Sequence, residues 1–454
     1  MSRVVKNAVM MQVRMLVAMA VGLVTSRITL QQLGFDDYGS YSLVWGILTL
    51  IVFANNTLTN ASIRFLSYDY ANEDKSVLQN TFAASKRAHL YAAFAIIFVA
   101  ETIGLLYLTV WANIPAERVS AVNVAYQISL IIVAATVLQS PYCALLIARE
   151  KMNVYATIEI INVLLKLGLV YLLFLNGVDK LILLSGLYAA LSVFVYFIYR
   201  IYCKKHFEEV FNSVNTDNKK CKEILRFSAT DLYGNAAVSF RDNGFVLILN
   251  SFFGVVLNAA CNIATVVNRA FSGLASNVLY AYKPQITMSY ARSDYGEMSR
   301  LVGKSSFYSI ITMGLTMSLS IVFMPSLLRI WLGNVPDYAV VFTQLLLVTG
   351  LIETIYNPLV SAIHASGKIK SLSFLNGSLY LINLPIIIAL YLFGEPAYVA
   401  YICLIAVDIV IWVSTIFITK SVVPNLSISK YLLYSISALI ISILPAIILH
   451  IIIK

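Results

Sequence analysis

The chain is built from apolar runs of about 20 residues, each closed by a short polar or basic stretch, from one end to the other. In lipid, every backbone N–H and C=O of such a run must be satisfied within the segment itself, which leaves the α-helix as its form. The runs fall near residues 8–31, 40–62, 88–112, 119–147, 152–175, 181–202, 224–252, 257–283, 305–331, 338–363, 371–394, 397–419 and 431–453. Of the 454 residues, 60% are hydrophobic and only 12% charged, against about 25% charged in soluble domains. The expected fold class is an all-α polytopic membrane protein.

The net charge of +10 is not a nucleic-acid signal, because the basic residues sit in short loops between apolar runs, where they set topology. One set of loops carries Lys75, Lys86, Arg87, Arg149, Lys151, Lys204, Lys205, Lys219, Lys220, Lys222, Arg292, Arg300, Lys304, Lys368 and Lys370. The opposite set holds little beyond Arg118, Lys180 and Arg329. This bias places the N-terminus in the cytoplasm of a multi-pass protein. Twelve helices bring the chain back inside near Lys420 and Lys430, and a thirteenth leaves Lys454 outside. Arg14 interrupts the first apolar run early, so that run reads as a retained helix and not a cleaved signal.

Several chemistries are disfavoured. The five cysteines are scattered with no paired spacing, the four histidines lie near helix ends, and nothing resembles a zinc motif. No GxxxxGK[ST] phosphate loop appears, so direct ATP drive is not expected. The outer loops are too short to hold a catalytic domain. The expectation is therefore a protein that is not an enzyme and carries no cofactor beyond a coupling ion, Na⁺ or H⁺.

An internal repeat divides the chain. Gly34 precedes the second helix and Gly254 the eighth, and Ser67-Tyr68 and Ser289-Tyr290 follow those same helices. Pro141, Ala148 and Lys151 align at one constant offset with Pro358, Ala365 and Lys368. An offset of six helices makes the halves parallel, related by an axis along the membrane normal. The expected organisation is a six-helix bundle over 1–203, a cytoplasmic connector over 204–223, a second six-helix bundle over 224–422, and an additional C-terminal helix within 423–454.

Polar residues inside the spans point to function. Asn258, Asn262, Thr265, Arg269, Ser272 and Ser276 recur every three or four residues and fall within about 40° of one line on a helix. An arginine at mid-membrane costs ~2.5–3.5 kcal/mol on insertion scales, so this stripe is expected to face helices or water. Ionisable residues in the predicted spans are Arg14, Arg27, Glu101, Glu159, Lys166, Asp231, Arg241, Asp242, Arg269, Glu353 and Asp408. Glu159 and Lys166 share one face with Asn162 at its edge, and Asp231, Asn235 and Asp242 share another. The deepest layer, Lys166, Arg241, Asp242 and Arg269, is net positive. Two readings stand: buried ion pairs that hold the halves together, or a cationic cavity for an anionic group. In the second, Lys166, Arg241, Arg269, Arg14 and Arg27 bind the ligand. Glu159, Asp231 and Asp242 exchange a proton or cation. Asn258, Asn262, Thr265, Ser272, Ser276, Asn56 and Asn60 line the path.

The segment from Arg27 through Gly34 to Tyr38-Gly39 resembles the opening of the bacterial Wzx-type polysaccharide flippases, members of the MOP (MATE-like) exporter superfamily. Arg241-Asp242 through Gly254 looks like the motif that opens their second half, and Ala281-Tyr-Lys-Pro284 like their proline at the end of helix eight. Leu257-Asn258-Ala-Ala and the thirteenth helix depart from the pattern. The resemblance implies alternating access between two bundles. It implies a substrate as well: an oligosaccharide repeat unit on an undecaprenyl-diphosphate carrier, moved from the inner to the outer leaflet of the bacterial cytoplasmic membrane. Implied partners are that lipid-linked oligosaccharide, the membrane lipids, and polysaccharide polymerase and export proteins, with no nucleic acid. A peptidoglycan lipid-precursor flippase, a MATE-type multidrug or cation antiporter, and a non-transporting membrane assembly partner are the alternatives.

Overall fold

In the computed structural model, residues 3–71, 75–149, 151–175, 177–207, 218–230, 236–237, 239–368 and 370–453 are described. Among these the secondary structure is helical throughout, with no strand. Among the described residues, nine helices are long and apolar enough to cross a membrane, one of them spanning Val13–Ser67. At 1.5 Å per residue that segment is about 80 Å long, enough for two crossings.

The chain forms two compact units, Met1–Asn258 and Ala259–Lys454. Unit 1 opens with α1 (Arg3–Ala71), which merges two expected helices across a kink at Gly34. Then come α2 (Lys75–Val99), a π turn at Ala100–Gly104 and α3 (Leu105–Val110). Next are α4 (Val119–Ala148), α5 (Met152–Val170) and α6 (Lys180–His206). The unit continues through α7 (Asn218–Thr230), a π turn at Phe240–Gly244 and α8 (Phe245–Phe253). The unit boundary falls four residues into α9 (Val255–Ala291), beyond the connector expected at 204–223. Unit 2 holds the rest of α9 with α10 (Tyr295–Leu332), α11 (Ala339–Ser366), α12 (Lys370–Leu392), α13 (Val399–Val422) and α14 (Ile428–Ile453).

The repeat shows in the backbone. Gly34 (φ 75°, ψ −179°) and Gly254 (φ 80°, ψ −175°) break their helices in one conformation, a region essentially closed to residues with a Cβ. Gly177 (φ 95°) and Gly394 (φ 88°) form a second matched pair, one before α6 and one before α13. Pro141 in α4 and Pro358 in α11 complete the correspondence.

α7 corrects one expectation. The apolar pattern makes its residues 224–230 the start of a spanning helix over 224–252. In the structure they belong to a short amphipathic helix that buries Cys221 and Ile224 against Leu58, Ala61, Ala84 and Ala88, while Lys219, Lys222, Glu223 and Arg226 stay exposed. Lys220 ties it down by an ion pair to buried Asp69 at 3.3 Å, and Phe227 packs edge-on to Phe65.

One end of unit 1 is clamped where α1 turns at Gly34. Arg118, just before α4, grips Asp37 in a two-pronged contact, both bonds 2.7 Å, and also reaches Asp179 at 2.7 Å. Asp179 caps α6 by accepting from the N–H groups of Leu181 and Ile182. α8, which the repeat assigns to the second half, is held by unit 1 at this end. The buried Asn250 side chain accepts from the Asn113 N–H at 2.9 Å and donates to the Asn113 carbonyl at 3.2 Å. Tyr107 donates to the Leu247 carbonyl at 2.7 Å.

Candidate functional site

The expected shared face of Glu159 and Lys166 is present, and it points at α6. The Tyr199 hydroxyl donates to Glu159 Oε1 at 2.7 Å, and Lys166 Nζ lies 5.7 Å from the centre of the Tyr188 ring. Tyr188 and Tyr199 stand three turns apart on α6, so two polar residues of α5 each meet one tyrosine of the neighbouring antiparallel helix. α1 adds a second cation, with the Arg14 guanidinium 5.5 Å from the centre of the Tyr155 ring, one turn from Glu159 on α5. Arg14 is half-buried, and its Nε has no hydrogen-bond partner among the described residues.

Two cations of apolar helices are thus held by ring faces. Such contacts are worth about 0.5–2 kcal/mol and leave N–H donors open to an anion. Glu159 is engaged by a phenol, and neither cation forms an ion pair with it. Arg118 is paired with Asp37 and Asp179, Lys220 with Asp69, and Arg300 with Glu297. Among the described residues, neither Lys166 nor Arg14 is ion-paired.

The remaining expected residues of unit 1 scatter. Arg27 is exposed on α1, thirteen residues beyond Arg14. Arg241 is half-buried in the π turn before α8, which packs against α1. Asp231 lies outside the described residues, as does the side chain of Asp242. Asn56 and Asn60 are exposed, while their neighbour Asn55 is buried and donates to Ser140 Oγ at 3.0 Å, beside Pro141. The polar cluster of the second span therefore divides into one structural amide and two exposed ones. Asn258 is fully buried, and neither atom of its amide has a hydrogen-bond partner among the described residues.

In unit 2 the stripe of α9 is partly covered. Asn262, Thr265, Ser272 and Ser276 are half-buried and Arg269 is exposed. Thr265 donates back to the Cys261 carbonyl at 2.9 Å, which satisfies its hydroxyl within the helix. Ser272 donates to Asn268 Oδ1 at 3.3 Å, and both lie against Gly350 of α11, where an added Cβ would meet them at 3.0 and 2.5 Å. Ser272 therefore serves helix packing, and Arg269 is the stripe residue left open.

A cluster in unit 2 escaped the sequence reading. Asp408 on α13 is fully buried and accepts from the Tyr380 hydroxyl of α12 at 2.9 Å. Tyr380 in turn lies 3.3 Å from the Tyr356 hydroxyl of α11. Each unit thus sets a membrane-depth carboxylate against a tyrosine of an adjacent helix, Glu159 with Tyr199 and Asp408 with Tyr380. An aspartate within an apolar run was visible in the sequence. Its tyrosine partners were not, because a chain with 28 tyrosines offers no way to choose among them.

No protein-family model matches the sequence, and no curated protein matches it. Solved structures do. The chain resembles the lipid II flippase MurJ in an inward closed conformation with a TM-score of 0.76 at 13% identity, over 95% of this chain and 91% of that one. It resembles an inward-facing multidrug resistance MATE transporter of the MOP superfamily with a TM-score of 0.72 at 14% identity, over 94% of this chain and 99% of that one. An outward-facing MATE transporter of the same superfamily gives 0.64 at 12% identity, over 93% and 96% of the two chains. At these identities the common property is the fold: a multi-pass helical chain with the architecture of MOP-superfamily MurJ and MATE transporters.

Proposed function

We propose that this chain is an alternating-access flippase for an anionic lipid-linked oligosaccharide. Its substrate is an undecaprenyl-diphosphate-linked repeat unit, carried from the inner to the outer leaflet of the bacterial cytoplasmic membrane, with the N-terminus in the cytoplasm. The observation that carries the reading is the pair of cations in unit 1, Lys166 and Arg14, held inside apolar helices by tyrosine rings and not by carboxylates. A cation so placed costs several kcal/mol without a partner, and a diphosphate supplies that partner when it arrives. Arg269 and Arg241 provide further charge, and the exposed Asn56 and Asn60 give hydrated surface for a glycan. The polyprenyl tail need not leave the lipid.

Glu159 is the coupling residue on this reading. Asp231 and Asp242 remain further candidates. The likeness to a lipid II flippase supports a sister reading, in which the glycan on the diphosphate is a peptidoglycan precursor. The cationic groups serve either headgroup equally.

The test is binding of undecaprenyl diphosphate to the purified protein and to the variant Lys166→Ala/Arg269→Ala. A charge-assisted contact is worth about 1.5–3 kcal/mol, so the double variant is expected to bind at least tenfold more weakly while its thermal unfolding is unchanged. Unaltered binding overturns the cavity assignment.

A further inference from the structure

The helix that a twelve-helix plan leaves over, α14, is built into unit 2. It runs parallel to α10, with contacts advancing in step along both. The Ser427 N–H donates to Ser299 Oγ at 2.9 Å, and Ser306 and Ser435 share a hydroxyl bond of 2.8 Å. Two glycine notches of α10 admit its side chains. A Cβ at Gly303 would come within 2.9 Å of Tyr434 Cε2, and one at Gly314 within 2.5 Å of Ser442 Cβ. Small residues and hydroxyl pairs are how helices approach closely in lipid, where no hydrophobic drive separates helix from tail.

The same face of α14 carries Tyr431, fully buried. Its hydroxyl donates to the Ile355 carbonyl of α11 at 2.8 Å and accepts from Trp412 Nε1 of α13 at 2.9 Å. One oxygen thus joins three helices, and the carbonyl it takes has a special place. Pro358 sits inside α11, has no N–H for the Thr354 carbonyl, and crowds that turn with its ring. The turn is short of a backbone donor, and Tyr431 brings one to the adjoining carbonyl. Side-chain donors of this kind are what proline-kinked membrane helices use to restore lost bonds. About two turns earlier on α11, Gly350 lies against Asn268 and Ser272 of α9, flanking Arg269.

The geometry points to Tyr431 as a positioning residue, whose hydroxyl pins the Pro358 turn of α11 and, through Gly350, holds the Asn268–Ser272 segment of α9 in register. α14 is then a working part of the second unit. The mechanical claim rests on the contacts of unit 2 alone. Only its consequence for ligand binding rests on the proposed function.

A double-mutant cycle on the full-length protein separates the two. In Tyr431→Phe, the unfolding temperature is expected to fall by a few degrees, and amide hydrogen exchange to rise around Pro358. Replacing Pro358 returns an N–H to the Thr354 carbonyl and removes the ring that crowds the turn, so the neighbouring Ile355 carbonyl depends less on the phenol. Adding Tyr431→Phe to Pro358→Ala should therefore cost less than half as much and leave exchange there unchanged. Ser306→Ala, on a bond far from that turn, should cost the same in both backgrounds. Equal losses for Tyr431→Phe in both backgrounds would reduce it to an ordinary buried hydrogen bond and overturn the proposal. Should Pro358→Ala not fold, the exchange map of Tyr431→Phe decides alone. Deprotection centred on α11 supports the assignment, and deprotection spread along α14 and α10 contradicts it. Undecaprenyl diphosphate binding to Tyr431→Phe tests the other link. Intact binding beside a coupled cycle leaves Tyr431 assigned to the Pro358 turn and sinks the role of the α9 stripe in recognition.

Discussion

Replacing Gly39 with alanine should damage the protein more than replacing Gly46, although both are buried glycines on the same arm of α1. A Cβ at Gly39 would overlap the backbone carbonyl of Val255 at the start of α9 and lie 3.2 Å from the Val255 Cβ. A Cβ at Gly46 would meet the side chains of Val246 and Leu247, at an ordinary 3.4 and 3.7 Å. The two substitutions share one gain, about 1 kcal/mol of helix propensity. Gly46→Ala should keep most of it. Gly39→Ala must push a helix start away by more than an ångström, and the obstacle is backbone that cannot swing aside. Overpacking of this kind costs typically ~1–3 kcal/mol or more, and the rigid obstacle puts it at the upper end. The net expectation is a loss of about 2 kcal/mol, or roughly 4 °C or more in unfolding temperature. Thermal unfolding of both detergent-solubilised variants reads the difference. Equal unfolding temperatures would refute the close approach of α1 and α9 at Gly39.

Other outcomes follow from the clamped end of unit 1. Arg118→Gln leaves Asp37 and Asp179 facing one another without their shared cation and should cost about 2 kcal/mol, read by chemical or thermal unfolding. Asn250→Ala removes both bonds to Asn113 and should cost ~1–3 kcal/mol, with faster hydrogen exchange confined to α8 and the turn at Asn113. Burial pushes the Asp179 carboxyl up, but the Arg118 bond and the N–H groups of Ile182 and Leu181 outweigh it and hold the group below its ordinary value. A depressed carboxyl adds stability that is complete above about pH 4, its unfolded value, and lost as pH falls through the folded one. Asp179→Asn keeps a capping oxygen and should flatten the acid side of the stability profile by about 0.5–1 kcal/mol; an unchanged profile there would contradict the pairing.

Spans were legible because lipid leaves an apolar run of this length no other form, and the repeat because a helix break in one particular conformation demands glycine at Gly34 and at Gly254. The matched pair Gly177 and Gly394 went unread, since a single glycine in a loop announces nothing until its φ is known. The face shared by Glu159 and Lys166 followed from helical periodicity. What it faces did not: the choice of Tyr199 and Tyr188 depends on how α5 and α6 are rotated against each other, and that is set by packing. The same limit hid the docking of α7, whose residues Ile224, Leu225 and Phe227 read equally well as the start of a span. The stripe of α9 was found as a line of polar residues, yet Ser272 serves packing against Gly350 while Arg269 stays open, a division that a helical wheel cannot make.

Transport tests the central claim most directly. The protein would be reconstituted into vesicles with a fluorescent undecaprenyl-diphosphate saccharide, and a lipophilic drug cation followed in parallel. Movement of the anionic lipid-linked sugar between leaflets, without export of the cation, is the predicted result. Export of the cation with no movement of the sugar would contradict the account and mark the MOP fold here as that of a drug antiporter.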